Sequence, residues 1–193
     1  MKLVLDTSLF TNPDAQRYFG RDSVSAVEEF LRIAREKGIE LYLPVSVARE
    51  LAYMIEPALL ARFKREATVR APDIHSLQVP AAVLHGFIRD LRNRVDRGLR
   101  VAEKAIHRGQ VEDQIRWLRE HYRTALRTGI VDSVEDLDVV LLAKETGAAI
   151  LSADEGITRM AEELGIEVLT AKEFAERYQP ERLAENVDEK GNL

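Results

Sequence analysis

Ser133–Asp154 reads SVEDLDVVLLAKETGAAILSAD. Ser133 is placed to cap a helix that runs to about Thr146, and Gly147 stands where a chain leaves a helix. Ala148–Ser152 (AAILS) then reads as a short buried strand. Asp154 follows it, just before a helix that begins near Gly156 and ends at Leu164, with Gly165 behind. The alternation continues outward. Ile166–Leu169 reads as a strand and Ala171–Tyr178 as a short helix. At the other end of the chain, residues 2–6 (KLVLD) read as a buried strand, followed by a loop signal at Asn12-Pro13. Ser23–Lys37 has a helical apolar stripe at Val27, Phe30, Leu31 and Ala34, with Ser23 or Ser25 as cap and Gly38 as terminator. Ile39–Pro44 alternates as a second strand. Val45–Glu56 reads as a helix capped by Ser46 and closed by Pro57. Strands and helices alternating over short links predict an α/β fold, a parallel sheet with helices on both faces.

The middle differs. From about Pro57 to Gly129 there is almost no strand signal. Ala58–Ala71, Ala81–Arg108 and Gln110–Arg127 read as helices, and the single Gly109 between the last two predicts an antiparallel hairpin. The expected organisation is therefore discontinuous. Residues 1–56 and 130–180 form one α/β domain, 57–129 a helical insertion, and 181–193 a polar tail. Charge divides along the same line. Residues 57–130 carry fifteen Lys and Arg against eight Asp and Glu, and the remainder thirteen against twenty-five. The overall net charge of −5 conceals a basic middle between acidic flanks.

Composition bounds the class. The 193 residues are 46% hydrophobic and 32% charged, too apolar for a disordered chain. No apolar run approaches the roughly 18 residues of a membrane span. The first apolar run, Leu3–Leu5, is broken at Asp6 after three residues, too early for a secretory signal. There is no cysteine, which excludes disulfides, thiolate metal sites and cysteine nucleophiles. A reducing cytoplasm is the expected location.

In an open parallel sheet, ligands bind beyond the carboxyl ends of the strands. Asp6 ends the first strand and Asp154 follows AAILS. Asp136 and Asp138 lie in the first turns of the helix capped by Ser133, Asp132 precedes that cap, and Glu50 sits after the second strand. Each also has a local reading: Asp136 in a capping box, Asp132 in a turn, Asp154 as a helix cap, Glu50 as an exposed helix charge. Asp6 resists one, because burying a carboxylate behind Leu-Val-Leu costs several kcal/mol unless it is paired or bound to a metal. Gathered carboxylates repel one another, and a divalent cation relieves that repulsion. Hard oxygen ligands suit Mg²⁺, with Mn²⁺ an alternative. Two such ions about 4 Å apart can assist phosphodiester cleavage. The four histidines, His75, His85, His107 and His121, all fall in the helical middle and are poor candidates for an acid or base at the strand ends.

These residues resemble a PIN domain. VLDTSLF carries the first acidic motif, SVARELAYM the second at Glu50, and LDVVLLAKETGAAILSADEGI the third and fourth at Asp138 and Asp154. The chain as a whole is similar to the HARP family, the homologues of Aquifex RNase P. The likeness runs through VLDTSLFTNP, the long helical insertion, RTGIVDSVEDLDVVLLAKE and SADEGITRMAEELGIEVLTA. The resemblance implies a PIN-like three-layer α/β/α fold interrupted by a protruding helical spike, assembly into a large homo-oligomer, and RNA-free ribonuclease P activity. It implies removal of the 5′ leader of precursor tRNA with no RNA subunit. It further implies that Asp6, Asp132, Asp136 and Asp154 hold the metal site with Asp138 beside them, whereas the plain PIN pattern favours Asp138 over Asp132. Residues 132 and 136 share a helix face, and 138 points about 160° away from 136, so the sequence leaves that choice open.

The insertion supports an RNA substrate on its own terms. Arg116, Arg119, Arg123 and Arg127 recur at three- and four-residue steps, forming one stripe; Arg97, Arg100, Lys104 and Arg108 form a second. RNA helices are recognised through phosphate, 2′-OH and shape. Trp117 is more readily core or subunit interface than a platform for a base. The competing readings are a toxin-type PIN endoribonuclease, usually shorter and without this insertion, and a non-catalytic RNA-binding or assembly module.

Overall fold

The structure is a computed structural model that describes residues 1–106, 111–127 and 133–180; of Leu126 and Arg127 it describes the backbone alone. The expected polar tail, 181–193, lies outside the described residues. Two compact units are present, one comprising Met1–Leu77 and Ser133–Leu193, the other Gln78–Asp132.

The first unit is built on a parallel sheet. Its strands are β1 (Lys2–Leu5), β2 (Glu40–Leu43), β3 (Ala67–Val69), β4 (Ala149–Leu151) and β5 (Val168–Leu169), in spatial order β3-β2-β1-β4-β5. Register is set by Leu3 opposite both Leu41 and Ala149, with Leu5 opposite Leu151. The strands are short and apolar because both faces are covered. From β1 the chain steps outward to β2 and β3, then returns to β4 on the other side of β1. With right-handed crossovers, the two directions of travel put their helices on opposite faces. The crossovers diverge between β1 and β4, which opens a crevice beyond the carboxyl ends of these two strands.

Around the sheet lie α1 (Ser8–Thr11), α2 (Pro13–Gln16), α3 (Ser23–Glu36), α4 (Val45–Leu51), α5 (Pro57–Glu66), α8 (Val134–Thr146), α9 (Glu155–Glu163) and α10 (Ala171–Tyr178). One face is closed by phenylalanines. Phe30 of α3 meets Phe10, Phe19 and Phe174 with ring centroids 5.4–5.8 Å apart, and Phe10 meets Phe63 at 6.2 Å. All five rings are at most 1% exposed. Burying each contributes roughly 1.5–3 kcal/mol. On the other side α8 packs against β1, β4, α4 and α9. Gly147 leaves α8 at φ +63°, a left-handed conformation that glycine adopts without strain.

Local boundaries depart from expectation where side chains find other partners. The cap of α3 is Asp22, which accepts from Ser25 N–H while Ser25 Oγ accepts from Asp22 N–H, so neither Ser23 nor Ser25 is the cap. Helix α4 stops at Leu51, and residues 52–54 turn. Ser46 does not cap it; that hydroxyl is engaged elsewhere. The helix expected over Ala58–Ala71 ends at Glu66, and Ala67–Val69 is edge strand β3 beside β2. Three residues are too few to display alternation. Residues 57–77 consequently belong with the sheet, not with the helical insertion expected from residue 57.

The second unit holds α6 (Ala81–Ile106) and α7 (Val111–Arg127). Gln114 Nε2 donates to the Ile106 carbonyl at 3.5 Å, and Tyr122 packs over Gly98, so the two helices run antiparallel. Among the described residues no helix is long and apolar enough to cross a membrane.

Candidate active site

β1 delivers Asp6 to the crevice and β4 delivers Ser152, followed by Asp154. Asp6 N–H extends the β1–β4 ladder to the Leu151 carbonyl at 3.4 Å. The Asp6 side chain is buried, with the residue 5% exposed. Its Oδ2 accepts the Ser8 hydroxyl, and the Ser152 hydroxyl at 2.8 Å. Burial pushes the Asp6 carboxyl above its ordinary range. The Ser8 and Ser152 hydroxyls and the Ser8 N–H pull it down, and the neighbouring Asp154 charge pushes it up again. Asp6 is thus linked through the Ser152 hydroxyl, which also accepts the Asp154 N–H at 3.0 Å, to the turn that carries Asp154, 148 positions away in sequence.

Asp154 is half-buried and caps α9, its Oδ1 accepting from Ile157 N–H at 2.9 Å. The cap and the proximity to Asp6 coexist, so the local reading of Asp154 does not exclude the functional one. Asp136 stands in the first turn of α8, where its N–H donates to Ser133 Oγ at 3.0 Å. Asp138, one half-turn on, accepts the Ser46 hydroxyl on Oδ2 at 2.7 Å, which ties α8 to the start of α4. Glu50 accepts the Thr7 hydroxyl on Oε2 at 2.9 Å, which ties α4 to the end of β1. Asp132 lies outside the described residues.

Among the described residues, no three His, Asp or Glu side chains lie close enough together to hold a metal ion. The donor chemistry fits a hard divalent cation nonetheless. Asp6 and Asp154 offer carboxylate oxygens, the side chains bonded to Asp6 are hydroxyls, and the charge on Asp6 is opposed by both burial and Asp154. A cation between them would relieve both penalties. The four hydroxyls of Thr7, Ser8, Ser46 and Ser152 are what sequence reasoning missed. A signal existed for two of them, since Ser8 stands two residues after Asp6 and Ser152 two before Asp154.

On α7, Arg116, Arg119 and Arg123 are exposed and line one open groove of about 590 Å³ with Glu112, Ile115 and Glu120. The side chain of Arg127 lies outside the described residues. Trp117 stacks on His121 at 4.1 Å, and the His121 ring nitrogen Nδ1 bonds the Trp117 carbonyl at 2.9 Å.

Comparison with known proteins identifies the family. The sequence model of the PINc domain ribonucleases matches residues 2–180. A protein of Alkalilimnicola ehrlichii named RNA-free ribonuclease P is 44% identical over 165 residues, covering 82% of this chain and 86% of that one. A namesake from Nitrosococcus oceani is 45% identical over 166 residues, 82% and 84% of the two chains. Another, from Thermococcus onnurineus, is 42% identical over 165 residues, 81% and 83%. Carboxylates at the switch point of a parallel sheet, a family match over nearly the whole chain and relatives of this similarity lead to one conclusion: the chain belongs to the PIN-domain ribonucleases, in the family of the RNA-free ribonuclease P proteins.

Proposed function

We propose that the chain is a divalent-metal-dependent endoribonuclease that removes the 5′ leader from precursor tRNA without an RNA subunit. The observation that supports the chemistry is the linkage of buried Asp6, through the Ser152 hydroxyl, to the turn that carries Asp154. The substrate follows from the names of relatives at 42–45% identity. Asp6 and Asp154 would hold Mg²⁺ or Mn²⁺, with Asp136, Asp138 and Asp132 the further acids of the site. When bound, such a cation lowers the pKa of water and neutralises charge on the scissile phosphate. The residues of the chain orient the carboxylates and keep their surroundings acidic. Water adds at phosphorus, the 3′ oxygen of the leader departs as a hydroxyl, and the mature tRNA retains the 5′-phosphate.

Arg116, Arg119, Arg123 and Arg127 are assigned to phosphates of the tRNA, whose shape sets the cleavage position. Assembly into a large homo-oligomer is part of the same reading. It is supported by Leu84, Phe87, Ile88, Leu91, Val95 and Leu99, which recur at helical spacing along α6 and are each at least 43% exposed. Function in the cytoplasm accords with a chain free of cysteine.

The test is direct. Purified protein with Mg²⁺ and a leader-bearing tRNA should give a single cut and a 5′-phosphate on the mature product. Random degradation, or an uncut substrate, refutes the assignment.

A further inference from the structure

Two consecutive peptide N–H groups in the β4–α9 turn donate to two serine hydroxyls that share one carboxylate oxygen. Ala153 N–H donates to Ser8 Oγ at 2.9 Å, and Asp154 N–H donates to Ser152 Oγ at 3.0 Å. Both hydroxyls in turn donate to Asp6 Oδ2. The two serine oxygens lie 3.3 Å apart. A hydroxyl has one proton to give. With an amide filling a lone pair on each serine, that proton is directed at Asp6.

The consequence is rigidity without neutralisation. Asp6 is locked through Ser8 and Ser152 to the backbone that carries Asp154, and Asp154 is locked by Ile157 N–H. A lysine or arginine in the same place would orient the carboxylates and cancel their charge. Hydroxyls orient them and leave both charges for a cation. Ser152 is 1% exposed, so water does not readily replace it.

We propose that Ser8 and Ser152 are positioning residues that set the affinity of the Asp6–Asp154 pair for a divalent cation. The inference rests on the metal-dependent reading above and goes beyond it, because it assigns the strength of metal binding to two side chains that are not ligands.

The experiment titrates Mn²⁺ into the full chain by calorimetry, for wild type, Asp6→Asn, Ser8→Ala, Ser8→Thr and Ser152→Ala. Wild type should bind, and Asp6→Asn should not. Ser8→Ala and Ser152→Ala should each weaken the Kd by about tenfold or more, the range seen when a group that orients a metal ligand is removed. Ser8→Thr keeps the hydroxyl and should stay within about threefold of wild type. In cleavage assays the Mg²⁺ midpoint of the alanine variants should rise by the same factor, while the rate at saturating Mg²⁺ falls less. Ser152→Ala removes a group from a buried site; if it does not fold, half-buried Ser8 carries the test. Wild-type affinity in Ser8→Ala, or equal losses in Ser8→Ala and Ser8→Thr, overturns the inference and leaves the metal reading standing. Wild-type protein that takes up no Mn²⁺ overturns both.

Discussion

Replacing Asp6 with asparagine should abolish cleavage and, in metal-free buffer, make the protein more stable at neutral pH. The Ser8 and Ser152 hydroxyls both donate to Oδ2. An asparagine that presents its carbonyl oxygen there keeps both bonds. What it removes is a charge disfavoured by burial and by Asp154. Folding raises the pKa of this carboxyl above its ordinary 3.8. As pH climbs past that value the unfolded chain has released the proton that the folded chain still holds. Stability therefore falls with rising pH until the folded carboxyl has also ionised. Asparagine has no such loss, so the gap between variant and wild type should open from about pH 4 towards neutrality. Leaving a buried polar group poorly compensated costs about 1–3 kcal/mol. The new Nδ2 donors require acceptors of their own, which places the net gain near the lower bound, about 1 kcal/mol. For a chain of this size that raises Tm by roughly 2–4 °C. Thermal melts of both proteins in chelator, across about pH 4–8, measure it. Mg²⁺ should then reverse the order, since only wild type gains from binding, by about 2.7 kcal/mol at a hundred times Kd. A variant less stable than wild type at pH 7 in chelator, or a gap that does not change with pH, refutes the reasoning. Retained cleavage refutes the site.

Phe30→Ala empties the centre of the aromatic cluster and should cost about 3–5 kcal/mol, a fall in Tm on the order of 10 °C by calorimetry; a loss below about 1 kcal/mol would show that the rings do not pack as described. Changing Arg116, Arg119 and Arg123 together to Gln should weaken tRNA binding and reduce the slope of log affinity against log salt by about one per arginine, as for lost phosphate contacts. An unchanged slope would remove these arginines from the RNA interface. Leu91→Glu with Leu99→Glu should lower the mass measured by light scattering if α6 joins copies of the chain, and an unaltered mass would exclude that face from the assembly.

Much of the α/β frame was legible because its signals are local. Ser133 and Gly147 bound α8 as read, the apolar triplet Leu3–Leu5 before Asp6 lies in β1, and Ala149–Leu151, three residues ahead of Asp154, is β4. Signals failed where a side chain had a distant alternative. Ser46 reads as a helix cap, yet its hydroxyl reaches Asp138, ninety-two positions away. Ser23 and Ser25 both read as caps, but Asp22 takes that place because its carboxylate and the Ser25 hydroxyl satisfy each other's backbone N–H groups. β3 was invisible because a three-residue edge strand exists only by pairing with β2.

The acids themselves could be named in advance, because a carboxylate placed immediately behind a buried strand has few inexpensive explanations. Order along the chain also determined the class of fold, since alternating strands and helices over short links admit few topologies. Which acids meet was a different matter. Asp6 is linked to the Asp154 turn because β1 and β4 are neighbours in the sheet, while Asp138 accepts the Ser46 hydroxyl and Glu50 that of Thr7. Hydrogen bonds between hydroxyls and carboxylates act over about 3 Å, and only the packing of distant elements brings such partners into reach.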